Sequence, residues 1–118
     1  MNKISGKIIN HDGSYIGTIE FSDKIESIDI DKDNQSDFEN LIIPGFIDLH
    51  CHGGNGFDTM AGFSSILEMS KHHLKQGTTT LLPTTLTATL DDTVKALEGL
   101  NEFINNNNNS TNVLGVHL

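Results

Sequence analysis

The sequence predicts a mixed α/β chain in two parts: a small antiparallel β-meander over residues 1–43, then the opening of a parallel βα barrel over residues 44–118. Three observations carry that expectation. Short alternating segments separated by turn residues fill the first part. An almost unbroken apolar run opens the second. From there strand-like and helix-like patterns take turns, which is the order that builds parallel sheets.

In the first part the segments KISGKIIN (3–10), YIGTIEFS (15–22) and KIESIDI (24–30) are separated by HDGS and SD, predicting three strands. The polar, acidic stretch DKDNQSDFEN (31–40) is expected to be a solvated linker. It lacks the ligand order and the glycine position of an EF-hand calcium loop.

The apolar run LIIPGFIDLH (41–50) predicts one strand buried on both faces. Ser64 to Gln76 follows as an amphipathic helix with Ile66, Leu67 and Leu74 on its apolar side, Ser70 as a small gap, and Gly77 in the C-terminal cap position. TTTLLPTT then predicts a second strand, stopped by Pro83. Thr89 with Asp92 three residues on resembles a capping box with Asp in place of Glu, so a second helix is expected, with Val94, Leu97, Leu100 and Ile104 as its buried stripe. The asparagine run NNNNNS ends that helix in a loop, and VLGVHL (113–118) is expected to be a third buried strand. A complete (β/α)8 barrel needs about 250 residues. Residues 44–118 therefore supply two βα units and the start of a third.

Composition excludes several function classes. Seven lysines, no arginine and sixteen acids give a formal charge of -9, the wrong sign for nucleic acid or an anionic membrane surface. No segment approaches transmembrane length. The start, MNKISGKIIN, alternates instead of forming the apolar block of a signal peptide. Cys51 is the sole cysteine, so no intramolecular disulfide or cysteine-based zinc knuckle forms, and the cytoplasm is the expected compartment. Without arginine, a substrate phosphate would have to be held from outside this chain.

The chemistry concentrates in His50-Cys51-His52 at the end of the apolar strand. Alternate strand residues face the same way, so the two imidazoles share a face and can chelate a metal ion. Barrel active sites sit at the carboxyl ends of the strands, and a glycine-rich turn follows here at once.

PGFIDLHCHG resembles the first barrel strand of the amidohydrolase superfamily. Through HGGNGFDTM, QGTTTLLPTTLT and the final LGVHL, the chain is most similar to the N-acetylglucosamine-6-phosphate deacetylases of that superfamily. The resemblance covers essentially the whole chain and implies that residues 1–43 are the first part of a small β-sandwich domain beside a TIM-like barrel. It implies that His50 and His52 bind a catalytic divalent metal, zinc first and iron or another divalent ion next. The substrate implied is a small amino-sugar phosphate, hydrolysed to glucosamine 6-phosphate and acetate. In these deacetylases LGVHL continues into Glu-Gly-Pro, whose Glu is a ligand, and two further His ligands and the acid–base Asp lie later still. The 118-residue chain alone is therefore expected to be inactive. Two other readings stand beside this one: a fragment of a cyclic-amide hydrolase of the dihydroorotase or hydantoinase kind, and a non-catalytic folding or assembly module.

The other candidates keep two readings each. Asp48, on the ligand face, either orients an imidazole or fixes the strand end by hydrogen bonds. Gly53, Gly54 and Gly56 with Asn55 either let the backbone approach a sugar or simply turn the chain. His117 either borders the site or packs, and Thr84 and Thr85 either contact substrate or form a turn. Cys51 points away from the ligand face and is expected to be an inert, buried small residue, while His72 and His73 are expected at the surface or rim. Open strand edges at 41–52 and 113–118 predict a homo-oligomer.

Overall fold

A computed structural model of the chain describes residues 1–33, 39–106 and 110–118. The chain divides into two compact units, Met1–Pro44 and Gly45–Leu118, each described by itself below.

In the first unit β1 (Asn2–Asn10), β2 (Gly13–Phe21) and β3 (Ile25–Ile30) form an antiparallel meander, as the alternation predicts. The β1–β2 turn is the pair His11-Asp12, and the Asn10 side chain accepts the Asp12 N–H at 2.9 Å. Gly6 and Gly17 face each other across the ladder, and each leaves room for a neighbouring backbone. A Cβ on Gly6 would lie 2.6 Å from the Asn40 carbonyl oxygen, and one on Gly17 would lie 2.6 Å from that of Asp29. The fourth strand, β4 (Leu41–Ile42), pairs in parallel with β1, giving the order β3-β2-β1-β4. Among the described residues of this unit, only Ile8 and Ile19 are buried apolar side chains, a thin core for a four-stranded sheet. Of the expected linker, residues 34–38 lie outside the described residues, and Asp31 to Asp33, Glu39 and Asn40 have no regular structure.

The apolar run 41–50 is thus two strands, not one. Pro44 lacks a ladder donor, and after Gly45 the chain starts β5 (Phe46–Cys51) in the second unit. Gly45 is required there, because a Cβ would overlap the Thr79 side chain. A hairpin follows, β6 (Gly53–Gly54) and β7 (Phe57–Asp58), and a 3-10 turn at Thr59–Ala61 leads into α1 (Phe63–Lys75). Gly77, at φ 94°, ends the helix in the left-handed conformation that glycine tolerates. Strand β8 (Thr78–Pro83), helix α2 (Leu90–Asn106) and strand β9 (Asn112–Val113) complete the unit. Three parallel strands lie in the order β5-β8-β9. The helix α2 runs two asparagines into the run expected to stop it, and residues 107–109 lie outside the described residues.

The core of this unit joins Cys51, Ile66, Met69, Leu81, Leu100, Phe103 and Val113. Three expectations change. First, β5 is not buried on both faces: Phe46, Ile47 and Leu49 are 57%, 64% and 60% exposed, and among the described residues β5 is the outer strand of its sheet, paired with β8. Second, VLGVHL is not a continuous strand. Only Val113 of it lies in β9; Leu114 and Leu118 are exposed, and the pairing resumes as a single bridge from His117 to Thr84. Third, the buried stripe of α2 is Ala96, Gly99, Leu100 and Phe103, whereas Val94 and Ile104 are exposed. A Cβ on Gly99 would lie 2.8 Å from Gly62 Cα and from the Phe63 backbone nitrogen. Small residues centre the contact face because the backbone entering α1 passes so close.

The expected N-terminal cap of α2 is present in altered form. The Thr89 hydroxyl accepts the Asp92 N–H at 3.2 Å and donates to the Asp92 carboxylate at 2.7 Å.

Gly99→Ala raises helix propensity by about 1 kcal/mol but drives a methyl group into backbone that cannot yield, an overpacking of about 1–3 kcal/mol. The expected outcome is a lower midpoint in urea unfolding. A variant as stable as the parent would show that α2 does not sit this close to Gly62.

Candidate metal-binding site

The two histidines reach one point in space because β5 and β8 end level with each other. Thr84, 2% exposed, forms the clasp: its N–H donates to the Cys51 carbonyl at 2.8 Å, and its hydroxyl oxygen accepts the Cys51 N–H at 2.9 Å. The residues flanking Cys51 then project on the other side of the strand. His50 Nε2 and His52 Nε2 lie 3.1 Å apart, with ring centroids 4.9 Å apart.

Hydrogen bonding sets the protons. His52 Nδ1 is 3.1 Å from the Thr84 carbonyl oxygen, which only accepts, so Nδ1 carries the hydrogen and Nε2 presents a lone pair. Without a metal, His50 Nε2–H donates into that lone pair. The arrangement suits a chelating pair. With metal–nitrogen bonds of about 2.0–2.1 Å, nitrogens at this separation subtend roughly 95–100° at a shared ion, between octahedral and tetrahedral angles. The Thr84 carbonyl on the far nitrogen of His52 is the usual outer partner of a ligating imidazole. Among the described residues no group of three or more His, Cys, Asp or Glu side chains is placed to hold a metal.

Asp48 accepts the His50 backbone N–H at 3.1 Å on Oδ1, holding the strand end from the ligand face. Gly53, Gly54, Asn55 and Gly56 form the β6–β7 hairpin, with Asn55 and Gly56 at φ 54° and 83°. Both central residues are left-handed, which is the turn that Asn-Gly sequences adopt. Packing also explains the two preceding glycines: a Cβ on Gly53 would lie 2.3 Å from the Phe57 carbonyl oxygen, and one on Gly54 would lie 2.7 Å from His73 Nε2. The first turn after the hairpin is tied to the site, since the Thr59 N–H donates to the His52 carbonyl at 2.9 Å.

Two residues carry more than the sequence indicated. Thr84 is the buried clasp that anchors both Cys51 and His52. His73 is not a free surface residue. Its Nε2 lies 3.2 Å from both the Gly53 carbonyl oxygen and Cys51 Sγ, pinning α1 to the strand end. A helix histidine four residues after the buried Met69 is the signal that could have found it. His117 packs against the His50 ring with centroids 4.5 Å apart, while His72 neighbours His73 and does not join the site.

Cys51 is 6% exposed, and its thiol donates to the Gly53 carbonyl at 3.3 Å. Burial pushes its pKa above the ordinary cysteine value, with a backbone hydrogen bond at Gly53 opposing and the nearby Asp48 charge adding.

The relatives of this chain are deacetylases of phosphorylated amino sugars. Its curated relatives and structural neighbours include, in particular, N-acetylglucosamine-6-phosphate deacetylases. The enzyme of that name from Bacillus subtilis is 37% identical over 91 residues, covering 74% of this chain and 23% of its own length. The one from Haemophilus influenzae is 30% identical over 117 residues, covering 98% of this chain and 28% of its own length. The crystal structure of the Thermotoga maritima N-acetylglucosamine-6-phosphate deacetylase superimposes with a TM-score of 0.84 at 30% identity, covering 99% of this chain and 31% of that one. The chain thus spans about a quarter of the length of these curated relatives. No family-level sequence profile matches it.

The raised pKa of Cys51 has a sign that can be checked. The folded state holds the thiol proton more tightly than the unfolded chain, so this contribution to stability is whole below the ordinary cysteine value of about 8.5 and is lost as pH rises above it. The folded chain at pH 8 is expected to react with iodoacetamide at least tenfold more slowly than the urea-unfolded chain, and its unfolding midpoint should fall between pH 8 and 10 less in Cys51→Ala than in the parent. Equal alkylation rates in the two states would contradict the burial.

Proposed function

We propose that the chain is the amino-terminal part of a metal-dependent N-acetylglucosamine-6-phosphate deacetylase. On this reading residues 1–43 begin the small β-domain, and residues 44–118 supply the first two and a half βα units of its barrel. The observation that carries it is the convergence of His50 and His52 Nε2 at 3.1 Å at the carboxyl end of β5, in a chain whose relatives bear that enzyme's name.

His50 and His52 would hold one divalent ion, zinc in the first instance. Such an ion, when bound, makes a water acidic enough to supply hydroxide near neutral pH and polarises an amide carbonyl. The rest of what this chain does is positioning. Thr84 fixes the tautomer of His52 and so keeps its Nε2 lone pair aimed at the ion. The Asp48 carboxylate holds the backbone of His50. The acid–base group, the remaining ligands and the phosphate-binding cations come from other parts of the enzyme, consistent with a chain that has seven lysines and no arginine. The buried free thiol of Cys51 is compatible with a reducing compartment, which makes the cytoplasm the proposed location.

Two imidazoles fill half of a tetrahedral shell, so zinc affinity should be weak, in the micromolar range or poorer. Calorimetric titration of the purified chain is the test. Binding is expected to vanish in the His50→Ala/His52→Ala double variant, and the same preparation should release no acetate from N-acetylglucosamine 6-phosphate. Zinc affinity that survives the double change would remove these residues from the site, and turnover by the correctly sized chain would show that it is catalytically complete.

The outer edge of β5 has no strand partner among the described residues, and Phe46, Ile47 and Leu49 leave apolar surface beside it. Edges of this kind recruit strands. The chain is therefore proposed to self-associate, with its charge of -9 opposing disordered aggregation. Sedimentation velocity should show a dimer or larger species that grows with concentration; a monomer across the whole range would count against an open edge at β5.

A further inference from the structure

The two imidazoles of the pair are not secured alike. His52 is anchored on its far nitrogen by the Thr84 carbonyl. The ring of His50 has no carbonyl or carboxylate on it among the described residues; its only hydrogen bond is the one between the two Nε2 atoms. The Asp48 bond acts on the His50 backbone and leaves the side-chain torsions free. Yet the chelating geometry requires both Nε2 atoms to stay put.

The His50 ring, exposed to solvent, also meets the ring of His117 edge to face, with centroids 4.5 Å apart and planes at 75°. His117 is itself held at three points. Its Nδ1 donates to the Leu49 carbonyl at 3.0 Å, its N–H donates to the Pro83 carbonyl at 3.0 Å, and its carbonyl accepts the Thr85 N–H at 3.0 Å. The ring therefore stands on the ends of both β5 and β8, the same two strands that set the height of His50 and His52. A wall built on that frame keeps its distance from His50 when either strand shifts.

We propose that His117 is a positioning residue that confines His50 to the rotamer in which its Nε2 meets that of His52. It acts as a wall and not as a third ligand, since no group of three ligand side chains forms among the described residues. The inference rests on the metal-binding reading of His50 and His52 for its consequence, a preorganised chelate, but the confinement of His50 exists without any metal.

The test uses the 118-residue chain and three substitutions, each first checked for a dispersed amide spectrum. His117→Ala removes the wall and the Leu49 bond, His117→Asn keeps a donor near the Nδ1 position but no ring, and His117→Phe keeps the ring but no donor. In calorimetric titration with zinc alone, the Ala and Asn variants are expected to bind about tenfold more weakly, the low end of what outer-shell changes do, and the Phe variant to stay near the parent. Recovery by Asn and not by Phe would overturn the proposal, because it would assign His117 to tying strands together. Parent-like affinity in the Ala variant would overturn it too. A second measurement is independent of metal: NMR of the metal-free parent should show ring-to-ring contacts between His50 and His117 and a single His50 χ1 state, both lost in His117→Ala. Their presence in a parent that binds no zinc would uphold the wall while rejecting the metal-binding reading. Their absence from the parent would overturn the wall even where zinc binds.

Discussion

The parallel register between β5 and β8, locked at its upper end by Thr84, is the constraint on which the site depends. Parallel strands space their hydrogen bonds evenly but at a slant, so the backbone groups at a strand end need a partner beyond the ladder. Here the Thr84 main chain and hydroxyl together satisfy both polar groups of the Cys51 backbone. With Cys51 held from two directions, the residues on either side of it are forced to the opposite face. That face is the one on which the His50 and His52 imidazoles converge. The Thr84 carbonyl then finishes the arrangement by accepting a hydrogen bond from His52 Nδ1–H. One residue thus ends a strand, closes a ladder and chooses a tautomer.

The underside of the same strand end is equally organised. Cys51 and His73 meet below the ligand face, both turned toward the Gly53 carbonyl, so helix α1 and the hairpin after His52 are tied to one atom. Glycine at 53 and 54 follows from that crowding, since a Cβ at either position would collide with the Phe57 carbonyl or the His73 ring. The glycine-rich turn therefore has a packing cause before any ligand is considered. The buried thiol, held protonated by desolvation, fills the gap between these elements as a small apolar group would.

Energetically the second unit is lopsided. Its two helices bury Ile66, Met69, Leu100 and Phe103 against the central strand through Leu81, while β5 leaves three large apolar side chains exposed. VLGVHL pairs at Val113 and again at His117 and exposes Leu114 between them.

From its sequence alone the chain settled the kinds of elements and most of their ends. Period-two alternation wrote the meander, Gly77 ended α1, Pro83 ended β8 and Thr89 with Asp92 began α2, because these signals act within a few residues of backbone. The His-x-His spacing likewise placed two imidazoles on one face of a strand, since that follows from the pleat. What depended on distant partners was left to the tertiary structure. The break at Pro44 was masked by apolar residues on both sides, and the phase of α2 was set by the closeness of Gly99 to Gly62 instead of by hydropathy. The roles of Thr84, His73 and His117 arose only when elements separated by 20 to 68 residues met at one strand end. A local pattern can state which way a side chain points; only packing decides what it meets there.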